Sequence, residues 1–367
     1  MNHPRLTAAV LAAAVFAAGP ARADESFAAV AEQVNGKLVK LFGAGGVRGL
    51  ASYGTGIVVS PDGYVLTVQS HILDTQDLRV HLADGTRYSA KVVATEPELD
   101  VALLKIGSEK EKVEDLPYFD VIEAAKRPLA EPGTGVLAFS NLYQIATRDD
   151  PLSVQRGVIS AYSKLYGKMG IFDAPYTGSV YVLDAITNNP GAAGGVVTNR
   201  KGEILGLIGK ELRNELTQTW INYAVPVNAK VDVPLADGKS VTVSIVDLVE
   251  KKENYQPPKS NREKGKGGGF TGIILVANPV ERTPPYIEEV LPNSPAAKAG
   301  LKPDDLIVYV DGLPVGSILT FKEVLDRYRP GAEIKLEVRR GDRLTTVPLT
   351  LAEPPKKKTA APPAGTP

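Results

Sequence analysis

Apolar residues fall in short runs or alternate with polar ones along most of the chain, and helical spacing is scarce. Runs rich in β-branched residues at 56–59, 64–67, 78–82, 91–93, 101–106, 136–139, 180–183 and 204–208 predict strands. Asp62-Gly63 and Asp84-Gly85 supply turn pairs between them. Many short strands joined by tight turns predict a mainly β architecture, a barrel or a sandwich. Residues 24–41 open with helical spacing, at Phe27, Val30, Val34 and Leu38. Asn35-Gly36 interrupts that pattern and leaves 38–42 as a candidate first strand.

Three segments depart from this pattern. Residues 6–18 are an unbroken run of 13 mostly apolar residues behind Arg5, followed by Ala21-Arg22-Ala23. That run is short of the roughly 20 residues that cross a bilayer, and with its small-residue end it predicts a signal peptide over 1–23. No later stretch is long enough to span, so the expectation is an exported chain without a membrane span. Residues 251–269 are charged, then Pro-bearing, then Gly-rich, and predict a linker. The tail 353–367 is similar and predicts disorder, its lysines solvated. The expected division is thus 24–250, a linker, 270–352 and a tail.

Composition narrows the chemistry. The chain has 367 residues, enough for two or three domains, and 42 basic against 42 acidic residues, without the basic excess of a nucleic-acid binder. Cys is absent and His occurs three times, as His3, His71 and His81. Thiol nucleophiles, thiolate metal sites and disulfides are excluded, and a multi-histidine metal centre nearly so. Gly267-Gly268-Gly269 lacks the Lys-Ser/Thr of a phosphate loop. No cofactor and no metal are expected.

Several segments, in order, then resemble one family. GTGIVVSPDGYVLTVQSHIL (54–73) is similar to a stretch ending in a catalytic His, and ELDVALLKI (98–106) to one supplying a catalytic Asp. DAITNNPGAAGGVVTNRKGEILGL (184–207) resembles a nucleophile loop, and INYAVPV (221–227) a pocket-lining segment. Together they resemble the HtrA-type serine proteases, which join a trypsin-like domain to C-terminal PDZ domains. The resemblance covers nearly all of the chain after 1–23 and implies two packed six-stranded β-barrels. It assigns His71 as base, Asp100 as its orienter, and Gly191, Ala192 and Ala193 as the oxyanion-loop backbone.

Acyl transfer by this route needs a hydroxyl nucleophile, an imidazole to take its proton and a carboxylate to fix the tautomer. The nucleophile position falls on Ala193, and a methyl group cannot attack a carbonyl. Ala192 and Val196 stand where the family has Asn and Pro. One extra residue also lies in Thr67-Val68-Gln69-Ser70-His71, where the family has Thr-x-x-His. A one-residue slip at a strand end turns a side chain to the opposite face, so either the chain bulges to restore His71 or Ser70 takes its place. Losing a nucleophile costs about a millionfold in turnover, roughly 8 kcal/mol. Asp100 has the simpler alternative of capping a turn. His81 is expected on the solvent side of its strand, and Trp220 and Tyr223 in the core or a pocket wall.

Residues 270–352 resemble a PDZ domain of the same family. PNSPAAKAGLKPDDLIVYVDG (292–312) follows its signature, with Asp304 in place of the usual Gly. Ser294-Pro295 predicts a helix start and Gly300 its end, 306–310 a strand, and 320–328 a second helix. The resemblance implies a peptide carboxylate held by the backbone of Phe270, Thr271, Gly272 and Ile273, with Phe321 and Val324 in an adjoining groove. The insertion at 278–288 would cover or extend that groove.

The favoured reading is an exported pseudoprotease that binds peptides or protein C-termini in envelope quality control or assembly. An active HtrA-like endopeptidase and a structural envelope scaffold are the alternatives. The resemblance adds a homo-oligomer, a trimer, as a further expectation.

Overall fold

The computed structural model describes residues 27–45, 51–108, 111–164, 167–169, 172–173, 176, 178–214, 219–235, 238–258, 269–276, 283–325 and 328–353. The expected signal peptide, 259–268 of the expected linker, 277–282 of the insertion and 354–367 of the tail lie outside the described residues.

A helix, α1 (Phe27–Asn35), buries Val30 and Val34 and ends at the predicted Asn35-Gly36 break. Six strands follow: β1 (Leu38–Phe42), β2 (Tyr53–Val58), β3 (Tyr64–Val68), β4 (Leu78–His81), β5 (Arg87–Glu96) and β6 (Val101–Ile106). They close into a barrel in the order β1-β2-β3-β6-β5-β4. The Asp-Gly pairs form its tight turns, with Gly63 and Gly85 at φ 89° and 83°. After α2 (Val121–Ala124) come β7 (Gly135–Ser140), β8 (Ser153–Lys164), β9 (Ser179–Leu183), β10 (Val196–Asn199), β11 (Ile204–Ile208) and β12 (Tyr223–Pro226). These close a second barrel, β9-β12-β11-β10-β7-β8. Both barrels abolish free sheet edges, and the mainly β double barrel expected from the sequence is the fold observed.

One core cluster joins the barrels, from Leu66 and Leu103 in the first to Phe139, Val196 and Leu207 in the second, with α1 and α3 (Ile245–Lys251) packed on it. The stretch assigned to a linker from Lys251 begins as packed structure. Tyr255 is buried in that core and donates to Glu96 Oε2 at 2.5 Å. Lys252 stacks 4.1 Å above the Tyr64 ring, where Tyr64 also bonds Glu253.

The second domain contains β13 (Ile273–Leu275), β14 (Ile287–Val290), α4 (Pro295–Ala299), β15 (Leu306–Val310), β16 (Leu313–Pro314), α5 (Ile318–Leu325), β17 (Glu333–Arg340) and β18 (Arg343–Thr350). Ser294 caps α4 by accepting from Ala297 N–H, and Gly300 ends it at φ 80°. Asp304, in the position expected to favour Gly, has φ 65° and is left-handed. A separate core holds Ile287, Ile307, Phe321, Leu336 and Val347. This small α+β domain is the PDZ arrangement the resemblance implied.

Two expectations about single residues are corrected. His81 is buried, because loop 141–152 of the second barrel covers it. Its Nδ1 bonds the Thr147 carbonyl at 2.6 Å and its ring lies 4.7 Å from that of Phe42. Trp220 is exposed rather than core, since it sits on the end strand of a small outlying four-stranded sheet, whereas Tyr223 is buried.

Candidate functional site

The site is built where β2 and β3 of the first barrel meet the 184–195 loop of the second. Gly191 and Gly194 have φ of 86° and 84°, which a side chain resists. A Cβ at Gly191 would collide with the Asn141 carbonyl and the Tyr53 ring, and one at Gly194 with the Thr55 carbonyl and Thr67 Oγ1. The loop is fixed from both sides. Thr55 Oγ1 donates to Gly191 O at 2.7 Å while accepting from Asn141 N–H at 2.8 Å. Gly194 N–H donates to Ile208 O at 2.9 Å, and Ile208 N–H to Gly195 O at 2.8 Å. Ala192 is turned inward and fully buried, its N–H on Asn189 O at 3.0 Å. Among the described residues the N–H groups of Gly191 and Ala193 take no protein acceptor.

His71 opens a single 3-10 turn, His71–Leu73, with Ser70 before it in extended conformation. The extra residue is accommodated there, after β3 has ended at Val68 and Gln69 N–H has bonded Asp100 O at 3.0 Å. His71 Nε2 lies 2.7 Å from the Ala51 carbonyl oxygen. A carbonyl only accepts, so Nε2 carries the proton. In a working triad Nε2 must be the acceptor and Nδ1 the donor, so this is the opposite tautomer. Burial, and secondarily Lys210, pushes the imidazole pKa down against the raising effects of the Ala51 bond and Asp74.

Asp100 lies in the turn before β6, at φ 57°. Its Oδ1 takes Lys210 Nζ at 2.6 Å, with the two side chains 11% and 17% exposed. Lys210 lies just beyond the end of β11 and was not singled out from the sequence. The available signal was a lysine following the apolar run 204–208. Tyr53 and Asn141 were missed as well. The Tyr53 ring lies against Gly191, and its phenol is pushed up by burial, then by Glu211 and Tyr143. Burial raises the Glu211 carboxyl too. Asn141 is fully buried, with Nδ2 lacking a partner and Oδ1 accepting from Ala146 N–H at 3.1 Å.

In the PDZ domain Phe270 pairs with Ala352, and Thr271 O accepts from Ala296 N–H at 2.9 Å. Gly272, at φ 78°, packs so closely on Ser294 that a Cβ would overlap it. Ile273 begins β13, which pairs with β14 on one edge and with no other strand among the described residues. Phe321 and Val324, expected in the groove, are 3% and 5% exposed and belong to the domain's core. Thr320 of α5 faces the first barrel and donates to Asp74 Oδ2 at 2.8 Å.

The chain matches the trypsin-like peptidase domain family over residues 54–207 and the PDZ domain family over 267–351. A probable periplasmic serine endoprotease, DegP-like, of Chlamydia pneumoniae is 27% identical over 316 residues, 83% of this chain and 56% of that protein. The protein of the same name from Pseudomonas fluorescens is 27% identical over 314 residues, 84% of this chain and 58% of the other. The chain therefore spans a little over half the length of these relatives. Among solved structures, the HtrA-type protease AlgW with tripeptide is 21% identical with a TM-score of 0.43, covering 90% of this chain and 98% of that one. A serine endoprotease from Yersinia pestis is 22% identical with a TM-score of 0.42, at the same coverages. The double barrel and the two family-model matches define a class, a trypsin-like peptidase domain joined to a PDZ domain. Within that class, the relatives it is similar to are named as DegP-like serine endoproteases.

Proposed function

We propose that this chain is a non-hydrolytic member of its family that binds peptides or protein C-termini through its PDZ domain. The observation carrying the reading is Ala193 in a loop whose backbone is still held in form from both barrels. Without a nucleophile, the residual ~10³–10⁴-fold advantage over water that binding and an oxyanion hole can supply is too small for peptide hydrolysis. The orientation of His71 toward Ala51 and of Asp100 toward Lys210 supports the same reading. In the PDZ domain, the edge of β13 that pairs with no strand among the described residues, beside the Gly272 turn, suits strand addition by a peptide C-terminus.

The rest of the proposal is a protein exported by cleavage near Ala23, acting in the periplasm in quality control or assembly, and able to self-associate. The relatives' names support the periplasmic part. Those names also favour a second reading, an active endoprotease. Treating the purified full chain with a fluorophosphonate separates the two. Absence of labelling and of casein cleavage is expected, together with binding of immobilised peptides with free C-termini. Covalent labelling would overturn the non-hydrolytic reading, and loss of binding on amidating the peptide C-termini would identify the carboxylate as the bound group.

A further inference from the structure

We propose that Lys210 is a second lock on the former catalytic centre, acting through Asp100 and His71 independently of Ala193. The inference rests on the non-hydrolytic reading and deepens it. Restoring a hydroxyl at 193 does not by itself restore a nucleophile.

The lock works in two ways. Asp100 in a triad must accept from imidazole Nδ1–H and stabilise the imidazolium that forms as the nucleophile loses its proton. Here its Oδ1 already holds an ammonium at 2.6 Å in a largely buried setting. The negative charge that would stabilise an imidazolium is thereby neutralised. The same ammonium also acts on His71 as a like charge, secondary to burial, and disfavours the protonated ring. The neutral ring keeps its proton on Nε2 for the Ala51 carbonyl, which leaves Nδ1 without one to offer Asp100.

Lys210 is held in this position by its surroundings. Ile208, two residues before it, is bonded to Gly195, and Gly209 N–H donates to Tyr223 O at 3.2 Å. The Tyr223 ring covers Gly209 so closely that a Cβ there would overlap it, and its hydroxyl interacts with the Lys210 backbone. Asp100 is fixed as well, with its N–H on Pro97 O at 3.2 Å and its carbonyl taking Gln69 N–H. The charged groups acting on His71 are Lys210 and Asp74, the latter tied to Thr320.

The test uses the full chain as Ala193→Ser, Lys210→Thr and the two combined, with Ala193→Ser/Lys210→Arg as the charge-conserving control. Fluorophosphonate labelling is followed from pH 5 to 9. Ala193→Ser and the Arg control are expected at wild-type background. The Ser/Thr double variant is expected to label about 100-fold faster or more, the scale of general-base catalysis, with a rate rising through one ionisation. Proton NMR of Lys210→Thr alone, assigned with His81→Asn, is expected to show His71 titrating at higher pH than in wild type. Equal labelling of Ala193→Ser and the Ser/Thr variant would overturn the proposal, as would an unmoved His71 titration. Labelling of the wild type would instead sink the non-hydrolytic reading, so the two failures are distinct.

Discussion

Lys40 Nζ donates to the Arg148 carbonyl at 2.6 Å from a side chain only 1% exposed, tying a strand of the first barrel to a loop of the second. A second bond reaches Leu82 O at 3.3 Å, and His81 holds the neighbouring Thr147 carbonyl. Burial lowers the lysine pKa, while Asp150, Asp149 and Asp84 raise it in opposition. This pair of basic side chains pins loop 141–152, whose first residue, Asn141, supports Gly191 through Thr55. Lys40→Met should release the loop locally. The Ala146 amide, bonded to Asn141 Oδ1, is expected to exchange with solvent at least ~10-fold faster by hydrogen–deuterium exchange.

The two strained glycines of the loop should differ sharply from a glycine in open space. Gly194→Ala forces a Cβ into the Thr55 carbonyl at φ 84°, whereas Gly331 has φ 87° and nothing within 4 Å. Gly331→Ala should cost about 1 kcal/mol, the left-handed penalty alone. Gly194→Ala should cost about 3 kcal/mol or more, because backbone must shift as well. Denaturant unfolding of both variants makes the comparison.

In the PDZ domain Asp305 is fully buried, its two oxygens held by Arg340 at 2.7 Å each. Burial alone would raise its pKa, but Arg340 and the Lys302 N–H bring it below the ordinary carboxylate value. Arg340→Met leaves that carboxylate without its cation and should destabilise the domain by about 3 kcal/mol. Arg340→Lys should recover part of the loss. Thermal unfolding followed by the near-ultraviolet signal of the tyrosines provides the measurement.

Acid should weaken the fold before the ordinary exposed carboxylates titrate. The pKa values of His71 and His81 both lie below the ordinary imidazole value, chiefly through burial. Below about pH 6.5 the unfolded chain therefore takes up protons that the native chain refuses, and stability falls with falling pH. Each imidazole contributes up to about 1.4 kcal/mol per pH unit, until the native ring protonates. His81→Asn should flatten the slope between pH 5 and 6.5 in urea unfolding, and an unchanged slope would remove His81 from the account.

Strands were legible because their signal is local. The runs 101–106 and 204–208 coincide with β6 and β11, and the breaks at Asn35-Gly36 and Gly300 fell where the chain turns. His81 was misread because alternation reports one sheet face, whereas a loop more than 60 residues away covers the other. Ala193 was visible as a letter in a motif. Lys210 was not, since its role depends on a carboxylate 110 positions earlier that only barrel closure brings near. Phe321 and Val324 had the right spacing for a groove, but the same spacing serves a core.

Tyr255 fixes one end of the connection between the domains, and Phe270 fixes the other. The 14 residues between them reach at most about 50 Å when fully extended. A peptide held by the PDZ domain, as proposed above, would thereby be confined to a limited volume around the loop at Ala193. At that range the effective concentration is millimolar, so even a feeble second contact in the cleft would add greatly to retention. Avidity of this kind needs no bond to be cut.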